Sequence, residues 1–295
     1  MQNNLTEKEI NNLYNWAKEY GIKELQTKDI NELLNIKELT IIGNKKGFSS
    51  IPNEIVKLVN LKNLFISSKN LKVLPKNIGN LINLEELIIG TFFIGKLLEL
   101  PRGVGNLTKL KRLEINSMTL KKLPKEICNL PNLKKIIINC KNLEELPKGI
   151  GDLVNLKDLI IYSNKLERLP KEIGNLINLE YILICSKNLK VLPKEIGNLK
   201  KLKGFSSALS NLTKFPKEIG NLVNLERLEI SRGYNLREFP KEITNLTKLK
   251  HLELKDCYKI KNLLKEIENF TKLKRFKIQS LYFVSKEIKF KYLIK

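Results

Sequence analysis

The sequence predicts an α/β solenoid, built from stacked units that each contain a strand, a turn and a short helical arc. Residues 169–176, Leu-Pro-Lys-Glu-Ile-Gly-Asn-Leu, recur almost unchanged from Leu192 and as close variants elsewhere in the chain. Self-similarity at a period of about 20–50 residues is the signature of a solenoid. One proline series also follows this period, at 23 or 24 residues with one interval of 26: Pro52, Pro75, Pro101, Pro124, Pro147, Pro170, Pro193, Pro216 and Pro240.

The first half of a unit predicts a strand with one buried face. In the unit that begins at Leu156, the apolar residues Leu156, Leu159 and Ile161 have the alternating spacing L-x-x-L-x-I. Alternation with a period of two is typical of a half-buried strand. No single unit can bury its apolar face alone, so neighbouring units must stack.

The second half of the unit predicts a short helical arc. Pro170 suits the first position of a helical turn, where its missing N–H would have had no partner. Glu172 follows near the positive end of the helix dipole. Ile173 and Leu176 are predicted to face inward, and Gly174 opposes a longer helix.

These residues carry a family resemblance. The pattern L-x-x-L-x-L-x-x-N-x-L followed by L-P-x-x-I-x-x-L resembles the leucine-rich repeat proteins. More narrowly, it is similar to the 23-residue LPxxI subtype of bacterial repeat proteins, plant intracellular Ras-group repeat proteins and Ras-pathway scaffolds. The resemblance runs from about Ile36 to Ile278, in about eleven copies. It implies a horseshoe with a parallel sheet on its concave face and short helical arcs on its convex face.

One position departs from the family pattern. The turn asparagine is in register only at Asn164, whereas several repeats carry an asparagine one residue later, at Asn70, Asn142 and Asn188. The sequence therefore leaves open whether an asparagine ladder spans the turns.

The two ends of the chain are predicted to cap the solenoid. We expect an N-terminal helical cap at 1–25, the repeat solenoid at 26–280 and a C-terminal cap at 281–295. Thr6 and Glu9 have the spacing of a capping box, which predicts an amphipathic helix at its start. A partner-binding role for this helix is the alternative.

Two places break the repeat. A three-residue insertion puts Phe92 and Phe93 between glycines at a turn, where one ring is expected at the rim as a binding anchor. The alternative is that both rings fold over a widened turn. Ser207 stands where an aliphatic residue is expected, which predicts a local irregularity at 202–210.

The chain carries a formal net charge of +23. A basic surface of this size favours nucleic acid, acidic proteins or anionic membranes as partners. Compositional bias is the alternative, because lysines follow the repeat template and most are followed by a glutamate. The lysines after the prolines are Lys76, Lys125, Lys148, Lys171, Lys194, Lys217 and Lys241.

The four cysteines predict free thiols. They occupy different phases of the repeat and form no C-x-x-C pair, so disulfides and metal binding are not expected. Free thiols suit a reducing compartment, and neither a signal core nor a run of about 18 apolar residues is present. We therefore expect a cytoplasmic monomer without a membrane span, with secretion as an effector left open.

The concave face should carry the function, because strand residues that alternate with the core point into it. Several of these residues are apolar or aromatic, as in a protein-binding surface. The alternative is that β-branched residues are simply good strand formers. The predicted partner-binding residues are Phe65, Ile88, Arg112, Lys135, Ile137, Asp158, Ile160, Tyr162, Tyr181, Leu183 and Arg227.

The last third of the predicted concave face is charged instead. Arg227 is followed there by charged or titratable residues that could steer an encounter or set partner choice: Glu229, His251, Glu253, Arg275 and Lys277. His251 is the only histidine. One histidine cannot form a multi-histidine metal site, and no glycine-rich elbow presents a serine nucleophile.

The function predicted is therefore a non-enzymatic protein–protein interaction module without cofactor or metal. Binding of nucleic acid or another polyanion through the lysine surface is the alternative. Against it, aromatic residues suited to base stacking are few and no nucleic-acid-binding motif is present.

Overall fold

The computed structural model describes residues 5–43, 45–90, 95–260, 270 and 272–279. The chain forms two compact units, Met1–Leu143 and Glu144–Lys295. Each unit is a solenoid, in which parallel strands alternate with short 3₁₀ arcs. The predicted C-terminal cap at 281–295 lies outside the described residues.

The first unit begins with two helices, α1 (Glu7–Tyr20) and α2 (Ile30–Leu34), with the 3₁₀ turn Lys23–Leu25 between them. Its parallel strands pair in chain order and are β1 (Glu38–Ile42), β2 (Asn63–Ser67), β3 (Glu86–Ile89), β4 (Arg112–Ser117) and β5 (Lys135–Cys140). The arcs that connect them are Asn53–Lys57, Ile78–Asn80, Arg102–Asn106 and Lys125–Asn129.

Helix α1 forms as the sequence predicts. The Thr6 hydroxyl accepts a hydrogen bond from the Glu9 backbone N–H, and the Glu9 carboxylate accepts one from the Thr6 N–H, which completes the capping box. The helix ends at Gly21, whose φ of 75° favours glycine. Its buried face is formed by Ile10, Leu13 and Ala17. An ion pair of 2.7 Å joins Glu9 to Lys57 on the first of these arcs.

The described part of the second unit contains six parallel strands, which also pair in chain order. They are β6 (Asp158–Tyr162), β7 (Tyr181–Ser186), β8 (Gly204–Leu209), β9 (Arg227–Ser231), β10 (His251–Lys255) and β11 (Arg275–Gln279). Its described arcs are Lys148–Asp152, Lys171–Asn175, Lys194–Asn198, Lys217–Asn221 and Lys241–Asn245.

Most strands bury every second side chain, as the sequence predicts, whereas β4 and β8 are buried at nearly every position. On β6, Leu159 and Ile161 are fully buried, whereas Ile160 between them is partly exposed. On β7, Ile182 and Ile184 are likewise fully buried. The core is thus a stack of leucine and isoleucine layers, and the other strand face is left to carry different chemistry.

The repeated proline lies one residue before the position that the sequence predicts for it. The arc begins at Lys171, and Pro170 precedes it in an extended conformation with φ of −66° and ψ of 147°. Its carbonyl accepts a hydrogen bond of 3.1 Å from the N–H of Ile173. Proline therefore caps the arc instead of opening it, and its fixed φ still suits this position.

Most described arcs carry a glycine that packs closely against the next repeat, although Cys128 and Thr244 take its place on two of them. A Cβ on Gly174 would lie 2.5 Å from the carbonyl oxygen of Glu195, so no larger residue fits without a shift. In the first unit, Val56 also takes this place on the arc Asn53–Lys57. A cleft of about 600 Å³ lies between this arc and the next, with Val56 in its wall.

Serine and asparagine share the hydrogen bonds of the turns. The Ser68 hydroxyl donates to the carbonyl of Phe48 in the preceding repeat at 2.7 Å, and Ser186 does the same to Leu166. These serines stand one residue before the asparagine of the family pattern. Asparagines one residue after that position also donate to the preceding repeat, as Asn70 does to Lys46 and Asn142 to Met118. Asn235, two residues after it, donates to Ser210.

A further asparagine ladder lies where each repeat meets the next, and sequence reasoning did not predict it. The Asn178 amide donates to the carbonyl of Val154 at 2.8 Å, and Asn224 does the same to Lys200. In the first unit the equivalent donors are Asn60, Asn83 and Asn132. These bonds satisfy carbonyls that the short arcs leave without a partner.

The prediction of an irregular segment at 202–210 is wrong. Strand β8 runs through it without a break and pairs in register with β7 and β9. Ser207 occupies the core position between Ile184 and Ile230, and it is buried. Its hydroxyl is one of the buried polar groups of the described residues that lack a hydrogen-bond partner.

Within the described ranges, no helix is both long and apolar enough to span a lipid bilayer.

Candidate functional site

In the first unit, the predicted partner-binding column follows the register of the sheet. Phe65 pairs with Ile88, and Glu114 then separates Ile88 from Ile137. Phe65, Ile88 and Ile137 are each partly exposed. Glu114, by contrast, is 8% exposed, so the apolar column of this unit is interrupted.

Glu114 is buried because its neighbours satisfy its carboxylate. The Arg112 guanidinium donates to it at 2.8 Å, and the Asn116 amide donates at 3.2 Å. Asn139 on β5 donates in turn to the side-chain oxygen of Asn116. Arg112 was predicted to contact a partner, but in the structure its guanidinium is hydrogen-bonded to Glu114 within this network. Lys135 is its register neighbour on β5 and is partly buried.

The two glycines that flank the insertion after β3 lie against this network. They are Gly90 and Gly95, and a Cβ on either would lie within 2.4 Å of the Asn116 carbonyl oxygen. Gly90 also has a φ of 76°, which favours glycine. Phe92 and Phe93, the predicted rim anchors, lie outside the described residues, so their role stays a prediction.

In the second unit, four of the predicted residues form one surface, which we call the apolar strip: Ile160, Tyr162, Tyr181 and Leu183. Ile160 pairs with Leu183 across β6 and β7, and all four side chains are partly exposed. Burial raises the pKa of the Tyr162 phenol, and nearby Cys185 and Tyr181 raise it further. The phenol therefore stays neutral, and the strip carries no charge of its own. Asp158, also predicted, pairs with Tyr181 at the edge of the strip.

Strand β8 holds the ring of Tyr181 in place. Tyr181 faces Gly204, where an added Cβ would lie 2.6 Å from the ring. The Tyr181 hydroxyl donates to Ser206 at 3.1 Å, and Ser206 donates to the Glu229 carboxylate at 2.8 Å. A glycine within a strand often marks such a close approach, but sequence reasoning did not use this signal.

Beyond β8 lies a second surface, which we call the charged patch: Arg227, Glu229, His251, Glu253, Arg275 and Lys277. These residues line one shallow pocket. Arg227 donates to Glu229 at 2.9 Å, and Lys277 lies 3.3 Å from Glu253. His251 sits between Arg227 and Arg275 in the register of the sheet.

The structure thus brings together some of the predicted residues and not others. Four of them form the apolar strip, and Arg227 belongs to the charged patch. Sequence reasoning missed the buried Glu114 and the hydrogen bonds that run from Tyr181 through Ser206 to Glu229. The repeat pattern gives the strand face of each residue, but it does not show which polar residues pair across strands.

The cysteine thiols are mostly buried and weakly reactive. All four cysteines are free, and Cys128, Cys140 and Cys257 are buried. Burial raises the pKa of Cys140 and of Cys257 to about 12, so both thiols stay protonated and weakly nucleophilic. Among the described residues, no group of three or more His, Cys, Asp or Glu side chains is placed to hold a metal ion.

The lysines that follow the prolines lie at the surface. Those of the second unit are Lys148, Lys171, Lys194, Lys217 and Lys241, and each is exposed. A glutamate follows four of them and is partly buried beside it. The positive charge of these lysines is therefore spread along the arcs and is balanced in part by nearby carboxylates.

Comparison with known proteins identifies the family. A model of the leucine-rich repeat region matches residues 15–145, 101–182, 121–210 and 170–292. No curated protein sequence matches the chain. Among solved structures, a leucine-rich repeat protein of Leptospira interrogans is 28% identical, with a TM-score of 0.58, 89% of this chain covered and 78% of that one.

Two further structures share the fold. A plant peptide hormone receptor, RGFR1 in complex with RGF2, is 26% identical, with a TM-score of 0.54 over 84% of this chain. This chain spans 48% of that receptor. The leucine-rich repeat domain of the type III effector XopL is 22% identical, with a TM-score of 0.57, 92% of this chain covered and 89% of that one. The repeat architecture and the family match together establish that this chain belongs to the leucine-rich repeat family.

Proposed function

We propose that this chain is a protein-binding module, and that the apolar strip and the charged patch of its second unit are the docking surface. The family and fold support a protein-interaction module in general. The choice of surface is supported by one observation above others. Four side chains lie on the strand face opposite the core and stay partly exposed, next to a cluster of charged side chains: Ile160, Tyr162, Tyr181 and Leu183.

The strip has the properties expected of a binding surface. Apolar and aromatic centres with polar rims are typical of protein interfaces. The hydrogen bond of Tyr181 to Ser206 holds the ring in position before any partner arrives. A side chain that is already ordered loses less conformational entropy on binding.

Fold-level likeness supports the same class of function. The plant protein RGFR1 is a peptide hormone receptor, and its structure is that of a complex with RGF2. By analogy, a protein or peptide ligand is the expected partner class here. Binding of a polyanion by the exposed lysines is the competing function, favoured by the net charge of +23.

The test is capture of partners from a lysate by the parent protein and by two variants. One variant carries Ile160→Glu and Leu183→Glu, which put charge on the apolar strip. The matched control, Ile177→Glu, changes a side chain that is 58% exposed and lies outside the strip. All three proteins are first shown to be folded by circular dichroism.

We expect the parent and the control to retain a protein at about 1 M salt, where the Debye length is about 3 Å. The double variant should lose it. Recovery of only nucleic acid or acidic proteins, released by salt and equal for all three baits, would contradict the proposal and favour the lysine surface.

A further inference from the structure

We propose that the charged patch receives an acidic side chain of the partner, on an extended segment that also covers the apolar strip. This inference rests on the proposed function, because it names the chemistry of the partner at the same surface. It is carried by the charge balance of the patch and by the shape of β8.

The cations of the patch differ in whether a carboxylate of the protein already pairs with them. Arg227 is paired with Glu229, and Lys277 is paired with Glu253. Arg275 is exposed, and within the described residues no hydrogen bond or ion pair occupies its guanidinium. Guanidinium groups bind carboxylates with two parallel hydrogen bonds, so Arg275 is the group best placed to receive one.

The local charge also favours an acidic group. Arg227, Arg275 and Lys277 face the carboxylates of Glu229 and Glu253, so three cations face two carboxylates, which leaves one net positive charge. Ser206 donates to Glu229 as well, so the negative charge of that carboxylate is already shared between two donors. Exposed Lys255 at the end of β10 adds a further positive charge. An incoming carboxylate would balance this surface, and an incoming cation would be repelled.

Strand β8 forms a low floor between the strip and the patch. Gly204 has no side chain, and Ser206 and Ala208 are 6% and 9% exposed. The Tyr181 ring lies against Gly204 and its hydroxyl bonds to Ser206, so a segment that crosses the sheet here would rest on that ring and not on the backbone of β8. An extended segment fits this floor, because it is the thinnest form of the chain.

The spacing of the strands sets the pattern that the partner needs. From β7 to β11 there are four strand steps of about 4.8 Å, or about 19 Å. An extended chain covers this distance in about six residues at about 3.3 Å each. The partner segment should then carry an aliphatic or aromatic residue for Leu183 and, about six residues away, an aspartate or glutamate for Arg275.

The test is selection from a displayed library of random dodecapeptides against matched baits. The baits are the parent, Arg275→Glu, Arg275→Gln and Leu183→Glu, with Arg237→Glu as the control at an exposed cation outside the patch. Circular dichroism confirms that each is folded. One peptide selected by the parent is then synthesised, and its affinity for each bait is measured by fluorescence anisotropy.

We expect the parent and Arg237→Glu to select an acidic residue about six positions from an apolar one. Arg275→Gln should lose the acidic preference, and Arg275→Glu should exchange it for lysine or arginine. The affinity of the synthetic peptide should fall at least about tenfold with Arg275→Glu, as for the loss of a charge-assisted contact.

The two proposals fail in different ways. If Leu183→Glu abolishes selection but the Arg275 variants select the same peptides as the parent, the acidic partner is wrong and the docking surface stands. If Leu183→Glu selects the same peptides as the parent, the docking surface itself is wrong. If the parent enriches no peptide, an extended segment is not the occupant.

Discussion

The apolar strip and the charged patch occupy equivalent positions on strands of one unit, yet they differ completely in chemistry. Beneath them the core is the same in kind, with Ile182 and Ile184 under the strip and Leu252 and Leu254 under the patch, all buried. The backbone register continues through both regions. The comparison teaches that the core face fixes the strands, and that the opposite face can change its chemistry without changing the fold.

Strand β8 is where one surface changes into the other. Its outward positions are filled by Gly204, Ser206 and Ala208, which are small and buried. They let Tyr181 reach across and bond to Ser206, which in turn bonds to Glu229. The strip and the patch are therefore linked by hydrogen bonds, although their exposed groups differ.

Truncating a core side chain beneath the strip should have the largest effect on the free energy of unfolding. Ile182→Ala leaves a cavity under the strip and should cost about 2–5 kcal/mol of unfolding free energy. Leu183→Ala on the same strand should cost less than about 1 kcal/mol, because its side chain is partly exposed. Urea unfolding followed by circular dichroism measures both. Equal losses would show that the two faces of β7 are not distinct.

Disturbing the arc behind β8 should have a smaller effect. Gly197→Ala adds a Cβ that would lie 2.3 Å from the Glu218 carbonyl oxygen. Overpacking of this kind should cost about 1–3 kcal/mol. Lys194→Ala on the same arc is the control, since its side chain is exposed and its loss should change little. A stable Gly197→Ala protein would show that the arcs can separate freely.

Chemical labelling of the cysteine thiols should show the smallest effect, and it compares the strip and the patch directly. Cys185 beside the strip is partly exposed, whereas Cys257 after β10 is buried. Burial raises the pKa of both thiols, that of Cys257 to about 12. In the native protein at neutral pH, iodoacetamide should label Cys185 first and Cys257 only on unfolding, as read by mass spectrometry. Faster labelling of Cys257 would show that the region under the patch opens.

The same pKa shifts set a direction for stability against pH. The unfolded thiols ionise near their ordinary pKa of 9.0, whereas the folded Cys257 thiol ionises at about 12. The contribution of the buried thiol is therefore complete below pH 9.0 and is lost as the pH rises towards 12. Replacement of Cys257 by alanine should remove this part of the alkaline loss, measured as the unfolding midpoint at a series of pH values.

The sequence was enough to predict the repeat, the buried alternation of Leu159 and Ile161 and the capping box of α1, because each depends on spacing along the chain. It predicted Pro170 as the first residue of the arc, whereas the structure has Pro170 at the capping position just before the arc. Proline suits both positions, so the sequence could not distinguish them. It missed the pairing of Ser206 with Glu229, which depends on contacts between strands. The irregularity expected at Ser207 was wrong because the paired backbones of β7 and β9 hold β8 in register.

The most direct test of the docking surface is photocrosslinking from single positions. The photoreactive residue p-benzoylphenylalanine replaces Leu183 in one protein and Ile177 in another, and each is irradiated in a lysate. Ile177 is 58% exposed, so it controls for simple accessibility. The account predicts a discrete protein adduct from position 183 that is absent from position 177 and is lost when Ile160→Glu is added. Adducts from position 177 alone, or equal adducts from both, would contradict it.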